Sequence, residues 1–350
     1  MNPEDLLLRA STPADLDALE RMAAASAIGI TTLPANRALL ADRLARSAQA
    51  FSSADDASGE EIYLFVLEDT RSGQVVGTSG IAASAGFADR FYSYRNEMVV
   101  HASAALGASN RIHTLHLCHD LTGHTLLTSF YLDPAYEQSL APQLLSRGRL
   151  LFIAEFAERF SDRIAAESPG LADETGRCPF WDAVGRRFFG MDYPSAEMLT
   201  GGRNKAYIAE LMPQSPIYVP LLPDEAQWAI GQLHPVAELP FAILLDEGFD
   251  AETYVDIFDG GPTVDARVAM LRTVAGSRHC SPAAEPAAEH DGSWQLVANT
   301  RRNAFRVVLS RASLAGAKLA LDGRSSHQLH AAPGDRLRAA PLGSDTGSQT

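Results

Sequence analysis

Residues 125–132, Thr-Leu-Leu-Thr-Ser-Phe-Tyr-Leu, form one short apolar, aromatic and β-branched run, the pattern of a buried strand. Asp133-Pro134 ends it, because Pro134 has no ladder donor and holds its neighbour extended. A polar stretch follows. Pro142 then suits the first turn of a helix, where its missing N–H would be unpaired anyway. Leu144, Leu145, Leu151, Phe152 and Phe156 recur at helical spacing as far as Phe160. Strand, short loop and helix N-terminus together make a geometry that binds phosphate groups.

The flanking patterns predict an α/β (α+β) chain with mixed sheets flanked by helices. Residues 6–9 read as a strand, and Ser11-Thr12-Pro13 opens a helix with Leu16, Leu19 and Met22 on one face. Asn36 starts a second helix, with Leu39, Leu40 and Leu44 inward and Arg37, Arg43 and Arg46 outward on a solvated face. Residues 51–61 are a polar connector. Residues 62–68 and 75–81 predict a hairpin across Arg71-Ser72-Gly73, and 111–120 a further hairpin with 125–132. Later come a strand at 163–167, a helix over 179–189 that packs its aromatic side chains, and a short helix from Pro194. A strand at 205–212, helices at 224–233 and 240–247 and a strand at 251–258 follow. Residues 273–286 read as a linker, 294–299 and 305–309 as strands, and the tail from 344 is expected to be disordered.

Composition narrows the class. The 350 residues exceed the usual size of one core, so two domains or one enlarged one are expected. A net charge of −14 argues against nucleic acid as a partner, since phosphate binding needs clustered Lys and Arg. The same acidity suits a cationic substrate. Cys118, Cys178 and Cys280 lie far apart and leave one unpaired, which points to a reducing, cytoplasmic setting. Neither a signal peptide nor a membrane-length apolar run stands out. His113, His116, Cys118, His119 and His124 suggest zinc, but alternation along a strand sends His113 and His119 to one face and His116 and Cys118 to the other, so no metal site is expected.

A set of motifs then becomes recognisable. The run FYLDP, a loop, and LLSRGRLLFIA resemble the acyl-CoA segment of the GNAT N-acetyltransferase superfamily. A closer resemblance is to the arginine N-succinyltransferase family. It rests on TTLPAN (31–36), VHAS (100–103), CPFWDAVGRRFFGMD (178–192), AELMPQSPIYVPLLP (209–223), GQLHP (231–235) and YVDIFDGGPTV (254–264). The resemblance implies a GNAT-like acyl-CoA fold over residues 1–200 and a second, smaller GNAT-like half over 201–275. A linker and β-rich segment over 276–343 and a tail over 344–350 complete the expected layout.

The resemblance also implies chemistry. Succinyl-CoA would be a co-substrate rather than a resident cofactor, its thioester arm lying along the strand before the loop. Phe130 and Leu132 are the expected contacts, with an ordinary core aromatic as the other reading of Phe130. His234 of GQLHP would be the proton donor, since an imidazole gives and takes protons near neutrality. A helix-terminal residue bonded to a carbonyl is the alternative. Glu210, Asp256 and Asp259 are candidate partners for a guanidinium, or else satisfy local backbone. The implied acceptor is L-arginine, or L-ornithine.

One departure matters. Where the family carries a basic residue and glycines, this chain has Glu137, Leu140 and Pro142. A carboxylate repels a pyrophosphate, and the larger residues keep the backbone from closing on it. That pattern resembles the alpha-subunit branch of the family, which works with a separate beta chain. It keeps open a non-catalytic regulatory or structural role.

Overall fold

The computed structural model describes residues 2–26, 29–53, 57–87, 90–200, 210–283 and 292–343. Its strands are β1 (Leu6–Ala10), β2 (Ile62–Asp69), β3 (Gln74–Ala82), β4 (Ser93–Ser103), β5 (Ala108–Cys118), β6 (Thr125–Leu132), β7 (Arg163–Glu167) and β8 (Ile217–Tyr218). They continue as β9 (Asp250–Val255), β10 (Pro262–Arg267), β11 (Arg278–Pro282), β12 (Ser293–Asn299), β13 (Arg306–Ala315), β14 (Lys318–Ala320) and β15 (Leu337–Pro341). All belong to one sheet, whose central order is β13-β1-β2-β3-β6-β7-β10-β9-β4-β5-β8. Strands β2 and β3 form the expected hairpin.

Helices α1 (Leu16–Ala25) and α2 (Arg37–Ser52) cover one face through Leu19, Met22, Leu40 and Leu44 packed on Leu64, Val66 and Val75. The Asn36 side chain caps α2, accepting from the Ala38 and Leu39 N–H groups. Helix α3 (Ala141–Glu155) packs with Tyr63, Phe65 and Leu67, which point from the same strand to the other side. Nearly every residue of α3 is buried, so its apolar run reflects a helix enclosed all round.

Several expectations are corrected. Strand β5 pairs with β4 in an eleven-residue antiparallel ladder, Ser93↔Cys118 to Ser103↔Ala108, and not with β6. The polar stretch Arg95-Asn96-Glu97 hides β4 in the sequence, because much of this hairpin is exposed on both faces and needs no apolar alternation. The helix over 179–189 is broken at Val184 into α4 (Pro179–Ala183) and α5 (Gly185–Phe189). Helix α6 (Tyr193–Thr200) follows, then α7 (Asp224–Ala229), four residues shorter at its end than expected, and α8 (Glu238–Glu247). The stretch read as a linker contains α9 (Arg272–Gly276) and β11. Of the strand expected at 205–212, residues 205–209 lie outside the described residues and Glu210 is helical. The tail over 344–350 also lies outside them.

Candidate functional site

The sheet opens at one place. Strands β6 and β7 run parallel and pair at Thr125↔Ile164, Leu126↔Ala165 and Leu127↔Ala166, after which no register continues. Beyond Leu127 the β7-facing edge of β6 has no ladder partner among the described residues, so its alternate N–H and C=O groups face a wedge. Phe130 and Leu132 both line the cleft, of about 990 Å³, that fills this wedge. Leu132 is also buried in the main core, and Phe130 packs against its edge.

A bulge shapes the floor of the wedge. Register shifts between Thr78 and Gly80 on β3, and Ser129 opposite takes φ 54°. Gly80 makes room for this, since a Cβ there would stand 2.8 Å from Thr128 Oγ1. Ser129 donates its N–H to Thr32 Oγ1 at 2.9 Å, so the TTLPAN motif holds the bulge from the α1–α2 side. Arg43 completes the brace by donating to Thr32 O at 2.7 Å and Ser129 Oγ at 3.2 Å. Its guanidinium is therefore not on the solvated face expected for it. Burial, with the charge of Arg46, lowers it to about 10.

The start of α3 borders the cleft through Glu137, Gln138, Ser139 and Pro142. Few of its amides remain for an anion. The Ala141 N–H goes to Ser139 Oγ at 3.1 Å, Pro142 has none, and the Leu144 N–H goes to Leu140 O. The Gln143 N–H is left. Exposed Glu137 adds a negative charge near this positive helix end.

His234 stands beside the cleft, its neighbours Pro235 and Val236 lining it, while the ring itself is not among the lining groups. Three motifs converge to hold it. The His234 N–H donates to Pro169 O at 2.9 Å, and the Gly231 N–H donates to Gly260 O at 2.8 Å. Asp259 in turn accepts from the Gly170 N–H and the Gly261 N–H, both at 2.8 Å, which ties the loop carrying Pro169 to the DGGP turn. Gly260, at φ +70°, lies so close under Phe180 that a Cβ would meet the ring at 2.8 Å. Helix α3 is fastened to α8, next along from His234, by the buried Arg147 bridging Asp246 and Glu247.

The imidazole is half-buried, and its Nδ1 accepts the Val236 N–H at 3.3 Å. A neutral ring in that role carries its proton on Nε2. Burial lowers its pKa below the ordinary value, which keeps it neutral near pH 7.

Asp256 and Asp259 both serve the turn: Asp256 Oδ1 accepts from the Phe258 and Asp259 N–H groups. Glu210 is exposed and is not among the residues lining the cleft. His113 and His116 bond Asn96 and Thr114 respectively. Among the described residues no group of three or more His, Cys, Asp or Glu is placed to hold a metal. None of their helices is long and apolar enough to cross a membrane.

Sequence reasoning missed Arg149, Thr32, Ser129 and Glu167, all of which line the cleft. Arg149 left one signal: a charge inside an apolar helix that is buried on every side.

A mixed sheet with α1–α2 on one face and α3 on the other, opening between two parallel strands, is the arrangement expected of a GNAT-like acyltransferase. Comparison with known proteins narrows this. Residues 6–273 match the family model described as arginine N-succinyltransferase beta subunit. The chain is 47% identical to arginine N-succinyltransferase subunit alpha of Pseudomonas aeruginosa, over 95% of this chain and 98% of that one. It is 41% identical to the beta subunit of the same organism, over 96% and 98%. The solved structure of arginine/ornithine succinyltransferase subunit AI from Pseudomonas aeruginosa matches with a TM-score of 0.87 at 45% identity, covering 97% of this chain and 100% of that one. The chain belongs to the arginine N-succinyltransferase family.

Proposed function

We propose that this chain is the alpha subunit of an arginine N-succinyltransferase, moving succinyl from succinyl-CoA to the α-amino group of L-arginine or L-ornithine. The observation that carries this reading is the unpaired edge of β6 beyond Leu127, with a neutral imidazole held beside the same cleft. The pantetheine amides extend the sheet along Phe130–Leu132, as an added strand would. The amine attacks the thioester carbon, the C–S bond breaks, and the proton shed by the amine ends on the CoA sulfur. His234 relays it: the ring gains a proton on Nδ1, releasing the Val236 N–H, gives the proton on Nε2 to the sulfur, and exchange with water restores the starting tautomer.

The higher identity to the alpha than to the beta relative, and the acidic loop before α3, support the alpha assignment and a beta partner. Three unpaired cysteines fit a reducing cytoplasm. The test is turnover of the purified chain with its beta partner, using succinyl-CoA and arginine. Replacing His234 by Ala in this chain lowers the share of kcat/KM owed to it by about 100-fold or more. Unchanged turnover of that share would leave the chain as a structural subunit.

A further inference from the structure

Two arginines of α3 stand two residues apart and are treated oppositely. Arg147 is neutralised by Asp246 and Glu247. Arg149, only 3% exposed, has no carboxylate within ion-pair distance among the described residues. Its partners are neutral: Nε donates to Ser146 O at 3.2 Å, Nη2 to Ser146 Oγ at 3.2 Å, and Nη1 to Gly80 O at a long 3.5 Å. The guanidinium sits 5.6 Å from the centre of the Phe130 ring. Arg149, Ser146 and Phe130 all line the cleft.

A buried cation without a counter-ion costs stability, and the same helix shows that carboxylates were available to relieve it. Burial lowers Arg149 to about 9, so it stays charged at neutral pH. Arg43 brings a second guanidinium to the bulge from the opposite face, also without a carboxylate partner among the described residues. Arg149 is the one cationic side chain lining the cleft among the described residues, where Glu137, Glu167 and Glu238 also border it.

From this arrangement we infer that Arg149 binds the free carboxylate at the far end of the acyl group and so selects a dicarboxylic acyl donor. With the thioester against the β6 edge, a four-carbon acyl chain runs past Phe130 toward α3. Its terminal carboxylate takes the remaining N–H donors of the guanidinium, which suit a planar, two-oxygen acceptor. An acyl chain ending in methyl would leave that charge buried and unmatched. The inference rests on the proposed reading of the cleft as an acyl-CoA site and adds the group that reads the acyl end.

The test uses the full chain and three probes: free CoA, an unreactive S-butyl-CoA thioether, and its analogue ending in a carboxylate. Calorimetry on the wild type is expected to give roughly 10- to 100-fold tighter binding of the carboxylate analogue than of S-butyl-CoA. Replacing Arg149 by Met keeps an unbranched chain against Phe130. That variant is expected to bind the two thioethers within about threefold, to keep the wild-type affinity for S-butyl-CoA, and to melt no lower than wild type. Should it fail to fold, Arg149→Lys is expected to show intermediate discrimination, since it keeps the charge and loses the planar fork. A wild type that binds both thioethers equally, or a variant that keeps the full preference, overturns the inference. A wild type that binds no CoA probe overturns the acyl-CoA reading itself.

Discussion

The His234 imidazole is poised by two neighbours that do no chemistry. Pro169 fixes its backbone, and the Val236 N–H takes Nδ1 as acceptor, a bond that only the neutral ring makes. Burial lowers its folded pKa below the ordinary value near 6.5. The fold therefore favours the neutral ring. Its contribution to stability is complete above the unfolded pKa and is lost as pH falls through the folded one. Activity that depends on the neutral ring follows the folded value. The acid limb of kcat/KM for the complex is expected to lie below pH 6.5, and His234→Gln in this chain to remove the part of that limb it contributes. A limb at or above 6.5, or one unchanged by the substitution, would contradict this role. That Phe130 and Leu132 border a cleft was legible in the sequence, because both lie on the apolar strand that ends at Asp133-Pro134. Arg43 was misread because helical periodicity gives the direction of a Cβ and not where a long, flexible side chain ends.

Helix α3 binds its neighbours more strongly than it offers itself to an anion. Ser139 Oγ and the Pro142 ring remove two of its first amides from use, and Glu137 lines the same cleft on the loop before the helix. Affinity for the donor should then come mainly from the β6 edge and the acyl end, with a weak contribution from the pyrophosphate. Replacing Glu137 by Lys turns a repulsive charge into an attractive one at a positive helix end. It is expected to tighten free CoA by about threefold to thirtyfold at low salt, with the gain shrinking as salt rises. Equal calorimetric affinity for both forms would contradict a phosphate group near this loop. The loop chemistry was readable from Glu137 and Pro142 alone. The pairing of β5 was not: short turn distance favoured β6, while the long ladder with β4 won because β6 is already paired to β3 and β7.

Across the whole molecule, the C-terminal strands are part of the same sheet. Strand β13 pairs with β1 at Leu7↔Val308, and Phe305 packs edge-on against Phe65 and Phe152 in the core that backs α3. Strands β9 and β10 join β7 to β4, and the turn after β9 carries the Asp259 clamp on the His234 loop. The cleft is thus shaped by segments more than a hundred residues apart. The apolar strands β1, β2, β3, β6 and β7 were visible from local pattern, while β4, β8, β10, β11, β14 and β15 were not, and the order in the sheet depends on long-range pairing that no local pattern encodes. The unpaired β6 edge is the feature on which the proposed donor binding depends. Amide hydrogen exchange on the full chain, with and without a saturating carboxylate-ended CoA thioether, reads that edge directly. Exchange is expected to slow at residues 128–132, with smaller effects near residues 139–143. Saturated binding that leaves residues 128–132 exchanging as in the free chain would contradict donor docking along this strand.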